Sequence, residues 1–329
     1  MRAAIVGLGM AVTPHARSLA DLAGRVEVAC AYSPSAARRA AFAAKFPFPQ
    51  CDRLETILAD RSIGIVLVLT PPNTHLELVE RCAAAGKHVL LEKPLEITTA
   101  RAERLVAACR KADIKLGIVL QHRFRPAAEK LAELLRTDAL GRLVSASASV
   151  PNWRPQSYYD QPGRGTRERD GGGVLLTQAI HTLDLFLSLA GEVANVKSFV
   201  ATTPVHRMET EDLVCAALQF KNGALGVVYA STAAYPGFPE RIELVGTQGT
   251  ALLEGTSLWA NFIDGKSIKS STESGGGGTG ADPMAFPHDW HRSVLADFLD
   301  AVETGREPRV NGEEALKVHR FIDSLLRTP

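Results

Sequence analysis

Two side chains in this sequence have the chemistry that a proton transfer needs, Lys93 and His181, and each sits in a distinctive local pattern. Lys93 belongs to Glu92-Lys93-Pro94, directly after the apolar run His88-Val-Leu-Leu91. That order places the lysine just past the carboxyl end of a strand, the edge at which open α/β sheets bind ligands. An ammonium group partly shielded from water there can have its pKa lowered until it exchanges protons near neutrality. Proline restricts the backbone, and an X-Pro bond can be cis, which would aim the lysine rigidly. The plainer reading is a surface lysine ahead of a helix-leading proline.

His181 follows Asp170 and three glycines, in Val174-Leu-Leu-Thr177-Gln178-Ala-Ile-His181-Thr-Leu-Asp184. On a helix, Thr177, His181 and Asp184 stand at i, i+4 and i+7 and share one face. Leu176, Ile180, Leu183 and Leu187 form the apolar stripe beside them. A solvated polar row on an amphipathic helix accounts for the same spacing, whereas the triple glycine would let main chain approach a ligand. A metal on His181 and Asp184 lacks a third ligand nearby. His288-Asp-Trp-His291 has suggestive spacing but no identifiable partner and reads as a helix start, so no metal is expected.

The loop before the glycines carries Trp153, Arg154, Gln156, Tyr158 and Arg164. These offer donors and an aromatic platform to a polyhydroxylated or carboxylated substrate. The same residue types suit a contact between subunits. Thr177, Gln178 and Arg123 complete the candidate substrate set.

A cofactor is suggested by the opening strand, which runs into Gly7-Leu-Gly9-Met10. In a βαβ unit the first glycine makes the turn and the second lets main chain approach a pyrophosphate at a helix amino terminus. Val12 takes the third place of the GxGxxG spacing, so the signature is incomplete and gains its weight from its position in the first strand. The second strand ends Ala31-Tyr32-Ser33-Pro34-Ser35, with no carboxylate between Cys30 and Asp52. Ser33 and Arg38 would welcome a ribose 2′-phosphate that a carboxylate would repel, which favours NADP over NAD. The alternative is NAD, with Arg38 and Arg39 on a solvated helix face. The turn containing Thr70, Pro71, Asn73 and His75 lies at the same sheet edge and is expected both to border the nicotinamide ribose and to lead a helix. Glu92 joins it as a candidate cofactor contact.

These residues need a scaffold, and the chain alternates strand and helix to provide one. Strand-like runs at about Ala3–Val6, Val26–Tyr32, Ile63–Leu69, His88–Leu91 and Lys115–Leu120 predict a doubly wound parallel sheet over residues 1–121. Thr74 and Glu77 have the spacing of a capping box. Beyond residue 140 the runs Leu143–Val150, Val193–Ala201, Leu213–Phe220, Ala224–Thr232 and Arg241–Val245 predict a mainly antiparallel sheet, with a hairpin at Lys221-Asn222-Gly223. Helices are expected at about Val174–Ala190, Trp290–Thr304 and Glu313–Arg327. Gly265–Gly280 reads as a loop. The second domain is therefore residues 122–329.

With 329 residues, 46% of them hydrophobic, the chain can bury a large core. A net charge of +1 gives no field for nucleic acid or an anionic membrane. No apolar run reaches the roughly 18 residues of a membrane span, and no secretory leader is recognised. Five scattered cysteines without a CxxC pair suggest reduced thiols and a cytoplasmic location.

Taken together, Gly7-Leu-Gly9 with His15, Thr70-Pro-Pro-Asn-Thr-His75, Ala85-Gly-Lys-His-Val-Leu-Leu-Glu-Lys-Pro94, Gln121-His-Arg-Phe124 and the triple glycine with His181 and Asp184 resemble the glucose–fructose oxidoreductase/inositol dehydrogenase/MocA family over nearly the whole length. The resemblance implies a Rossmann domain and an α/β domain whose sheets often pair into homodimers or homotetramers. It also implies hydride transfer between nicotinamide and a sugar, cyclitol or related alcohol, with Lys93 matching the catalytic lysine and His181 the histidine of the second motif. Thr177 stands where the family often has aspartate, so His181 is expected to stay mainly neutral, leaving Lys93 as the principal acid/base. Relatives that cleave glycosidic bonds through a tightly held NAD, and a non-catalytic nucleotide-sensing protein, are the alternatives.

Overall fold

The computed structural model describes residues 1–271 and 287–327, and these divide into two units. The first comprises Met1–Gln121 and His288–Leu316, the second His122–Pro287 and Lys317–Pro329.

The first unit contains six strands, β1 (Arg2–Val6), β2 (Glu27–Tyr32), β3 (Gln50–Cys51), β4 (Ile65–Val68), β5 (His88–Leu91) and β6 (Leu116–Ile118). They lie in the order β3-β2-β1-β4-β5-β6, and every neighbouring pair is parallel. That order reverses direction between β1 and β4, so ligands are expected outside the carboxyl ends of those strands. β4 is buried along its whole length, as a strand covered by helices on both faces must be. The helices are α1 (Val12–Asp21), α2 (Ala36–Ala43), α3 (Leu54–Ala59), α4 (His75–Ala84) and α5 (Thr99–Lys111).

The second unit holds α6 (Pro126–Arg136), α7 (Gln156–Tyr159) and α8 (Ile180–Ala190) against an eight-stranded sheet. Its strands are β7 (Leu143–Pro151), β8 (Val193–Ala201), β9 (Leu213–Phe220), β10 (Leu225–Ser231), β11 (Arg241–Gly246), β12 (Gly249–Glu254), β13 (Ser257–Phe262) and β14 (Ser267–Ser271). The order is β14-β13-β12-β11-β7-β10-β9-β8, antiparallel except for the parallel pair β10–β7. The expected hairpin joins β9 to β10, and Gly223 takes the positive φ of +89° that its turn requires.

Several expectations need correction. β3, β12, β13 and β14 were not foreseen, and Ser267–Ser271 is a strand inside the stretch read as a loop. The glycine run Gly275–Gly278 lies outside the described residues. The chain also returns to the first unit after residue 287, where α9 (Asp289–Thr304) packs along α1. Arg25 pairs there with Asp300 and Glu303, and the Ile118 amide donates to the Val310 carbonyl. A last helix, α10, covers Gly312–Leu326.

Thr74 does not cap α4. Its hydroxyl bonds Thr70 and the Pro71 carbonyl, while the free Leu76 amide donates to Glu96. Nor are all the thiols reduced. Cys30 and Cys51 are joined, because the β2–β3 register sets Cys51 opposite Tyr32 and thus on the same face as Cys30. Cys82 and Cys109 are buried free thiols, which burial pushes up to about 12. Among the described residues, no helix is long and apolar enough to cross a membrane.

Candidate active site

In the first unit the site begins at the β1 turn. Gly7 has a φ of +105°, and a Cβ there would stand 2.8 Å from the Leu69 carbonyl, so only glycine lets β1 and β4 end side by side. At Gly9 a Cβ would meet nothing within 4 Å. The helix that follows, α1, has no side-chain cap and no acidic residue in its first turn. An open glycine ahead of an uncapped amino terminus fits a dinucleotide pyrophosphate. Met10 beside it is exposed.

Ser33 is buried and its hydroxyl accepts from the Ser35 amide, while Ser35 caps α2 by accepting from the Arg38 amide. Arg39 reaches back to the Ser33 carbonyl at 2.6 Å, leaving Arg38 exposed. At the end of β4, Thr70 and Asn73 are half-buried and Pro71 is exposed. His75 is fully buried: one ring nitrogen faces the Thr70 carbonyl at 2.9 Å, the other those of Pro94 and Leu95. Burial lowers its pKa. His75 therefore ties the β4 turn to the segment after Lys93 and has no ring nitrogen left to offer a cofactor.

Lys93 is half-buried directly beyond β5, and the Lys93–Pro94 peptide is cis. Glu92 is buried beneath it and serves the protein itself. Its Oε1 stands 2.7 Å from His15 Nε2, and its Oε2 accepts from the Lys93 amide at 3.1 Å. Burial would raise the Glu92 pKa, yet His15 outweighs it and the net shift is downward. The carboxylate can only accept, so His15 Nε2 donates.

His291, supplied by α9, packs edge-on against His15 with ring centroids 5.1 Å apart. This is the partner that the His288–His291 spacing lacked, and His288 itself bonds Asp21. His15, Glu92 and His291 are the one group among the described residues with metal-ligand proximity. Two ligands of a tetrahedral zinc with bonds near 2.0–2.1 Å stand about 3.3 Å apart. The 2.7 Å between His15 and Glu92 is instead a hydrogen bond.

In the second unit, His181 lies on the first turn of α8 and is half-exposed. The turn before it, Leu175–Ala179, is a π-helix, so the α-helical spacing that aligned Thr177 with His181 does not hold there. The Thr177 hydroxyl is shared between the Gly173 carbonyl and the Gln178 side chain. Gly173 is not open to a ligand either, because a Cβ there would lie 1.8 Å from the Glu211 carbonyl oxygen. Asp184 is buried and accepts from Arg123 Nε and Nη2, one edge of the guanidinium, at 2.7 and 2.6 Å. That pairing turns both side chains inward and assigns Arg123 to anchoring α8.

The neighbour of His181 that sequence reasoning missed is His122, whose ring stacks on it at 5.0 Å with an interplanar angle of 29°. Arg125, almost wholly buried, faces His122 Nε2 and also bonds Glu240. A guanidinium only donates, so that imidazole nitrogen accepts. The adjacency of His122 to Arg123 was visible in the sequence; its stacking depends on a turn joining two distant segments.

The loop at 153–164 is ordered by aromatic contacts. Trp153 meets Tyr235 edge-on at 5.4 Å, and the guanidinium groups of Arg154 and Arg164 stand over the Tyr158 ring, at 5.9 and 4.9 Å from its centroid. Gln156 bonds Asp160 and the main chain of Arg207.

Residues 1–119 match the family described as "Oxidoreductase family, NAD-binding Rossmann fold", and residues 128–252 match "GFO/IDH/MocA C-terminal domain". The chain is 29% identical to myo-inositol 2-dehydrogenase of Thermotoga maritima over 78% of its own length and 75% of that protein. It is 28% identical to 1,5-anhydro-D-fructose reductase of Ensifer adhaerens, over 88% and 85%. Among solved structures, the WlbA dehydrogenase of Bordetella pertussis in complex with NADH and UDP-GlcNAcA superposes with a TM-score of 0.85 at 26% identity, covering 99% of this chain and 95% of that one.

Proposed function

Because the chain belongs to the glucose–fructose oxidoreductase/inositol dehydrogenase/MocA family, we propose that it is an NADP-dependent dehydrogenase of a sugar, cyclitol or related alcohol, with Lys93 as the acid/base. At the coarser level it is an NAD(P)-dependent oxidoreductase acting on CH–OH groups. When bound, the nicotinamide supplies hydride exchange with the substrate carbon. The protein's own part is to hold both reactants and to move the hydroxyl proton.

One observation carries the reading: Lys93 is half-buried beyond β5, and its main chain is held by a buried carboxylate that His15 orients. In the oxidative direction the neutral amine accepts the hydroxyl proton, and in the reductive direction the ammonium returns it to the carbonyl oxygen. His181, stacked on His122, binds the substrate oxygen. NADP is preferred on the strength of exposed Arg38 and the absence of a carboxylate between Cys30 and Asp52. A sugar-like substrate agrees with the ligand named for the WlbA structure and with the cyclitol and anhydro-sugar enzymes among the relatives.

We also propose that a second copy covers the outer face of the eight-stranded sheet, where Phe199, Val227 and Leu225 are exposed.

The test of the enzyme reading is Lys93→Ala. Turnover is expected to fall roughly a hundred- to ten-thousand-fold, with NADPH still binding by fluorescence titration. Near wild-type turnover in that variant would falsify the assignment. Reduced cofactor should accumulate in step with alcohol consumed; a closed redox cycle would accumulate none.

A further inference from the structure

The loop between β7 and α8 contains more positive charge than it neutralises. Arg164 Nη1 and Arg169 Nη1 both approach one carboxylate oxygen, Asp170 Oδ1, at 3.8 and 3.9 Å, which is ion-pair range but beyond hydrogen bonding. The other Asp170 oxygen is taken by the Gly165 amide at 2.9 Å. Arg154 joins the two through Tyr158, since its guanidinium and that of Arg164 both stand over that ring. Arg164 Nε and Arg169 Nη1 are buried nitrogens with no hydrogen-bond acceptor among the described residues. A buried guanidinium donor without an acceptor is costly, and in folded proteins such groups find one.

The neighbouring carboxylates do not supply it. Glu211 accepts from the Gly173 and Leu175 amides, and Asp212 is engaged by Thr203 and His206. Glu209 pairs with Arg167, and Asp160 with Gln156. Arg164 and Arg169 nevertheless keep 17% and 31% of their side-chain surface open, so a small anion can approach the exposed part of each side chain, though not the buried nitrogens themselves.

We propose that Arg169 and Arg164, the latter steadied over the Tyr158 ring, form a subsite for the carboxylate of an acidic sugar. A planar guanidinium fork matches a carboxylate through two parallel hydrogen bonds. The proposal rests on the second unit being the substrate unit, and it narrows the substrate from any sugar-like alcohol to an anionic one.

Matched pairs test it: D-glucuronate against D-glucose, and UDP-glucuronate against UDP-glucose, with glucose 6-phosphate as a third anion. Binding is measured by calorimetry in the presence of NADPH, and turnover separately. The acid of at least one pair is expected to bind about thirtyfold more tightly than its neutral partner. Arg164→Met, and independently Arg169→Met, should reduce that preference to within about threefold while NADPH affinity stays unchanged. Unchanged NADPH affinity with a wild-type unfolding temperature identifies a folded variant. Arg164→Lys, which keeps the charge but loses the fork, should retain only part of the preference. The subsite is overturned if neutral and acidic partners bind equally, if glucose 6-phosphate outcompetes the uronates, or if both methionine variants weaken neutral and acidic ligands alike. Discrimination in binding without turnover of any compound would keep the subsite and sink the dehydrogenase reading.

Discussion

At the scale of single residues, the group beneath Lys93 determines how the fold responds to acid. His291 is buried against His15, and burial together with the charge of His15 lowers its pKa from 6.5 to about 3. The unfolded chain takes up a proton on this ring as pH falls through 6.5, whereas the folded chain refuses it until about 3. The stability this ring contributes is therefore complete above pH 6.5 and is lost as pH drops below it. His75, lowered by burial, acts in the same direction, and Glu92, whose pKa is also lowered, adds its own loss below its ordinary value of 4.5. The unfolding temperature of the wild type should thus fall steadily from pH 7 to pH 5. His291→Phe keeps a ring of similar size and removes one titrating group, so its slope over that interval should be shallower. Parallel slopes would show that His291 does not carry the effect.

The elements decide where the second-unit site points. Helix α8 is fastened by the pair Arg123–Asp184, with side-chain exposures of 10% and 1%. Removing one partner of a buried ion pair leaves the other uncompensated, which costs about 3–5 kcal/mol. Asp184→Asn should therefore lower the urea midpoint by an amount worth about 3 kcal/mol at unchanged slope. The double variant Arg123→Met/Asp184→Leu should recover most of that loss, and a loss below about 1 kcal/mol in Asp184→Asn would deny the pair its anchoring role.

The strands and helices around this anchor were largely readable, because apolar alternation and the grammar of strand then helix survive without tertiary information. Val193–Ala201, Leu213–Phe220 and His88–Leu91 have the boundaries expected of them. What escaped was set by distant contacts. β3 is two residues long and exists through its pairing with β2, and α9 belongs to the first unit because of what α1 presents to it. The π-turn at Leu175–Ala179 has no local sequence mark, so the helical wheel placed Thr177 wrongly relative to His181. Lys93 was found through its place after β5, whereas Glu96, which caps α4, and His122 needed the fold to be noticed.

For the whole molecule, the β8–β10 part of the large sheet has one face left exposed among the described residues. Along β8–β10 buried and exposed residues alternate, and the register aligns Phe199, Cys215 and Tyr229 in one cross-strand row on the outer face. Val227 and Leu225 continue that face along β10, and Phe199 is 84% exposed. An aromatic ring and two branched aliphatic side chains on one sheet surface form the kind of apolar patch that subunits cover. A two-fold interface sets the same patch against itself, so a single charge introduced there appears twice and repels its copy. Phe199→Glu combined with Val227→Glu should therefore convert the proposed dimer to monomers in light scattering at tens of micromolar protein. Both changes lie on the outward face and remove no core contact, so the unfolding temperature of the resulting monomer should fall only by the amount that association contributed, and that part should depend on protein concentration in the wild type. A wild type that is already monomeric, with an unfolding temperature independent of concentration, would remove the second copy from this account.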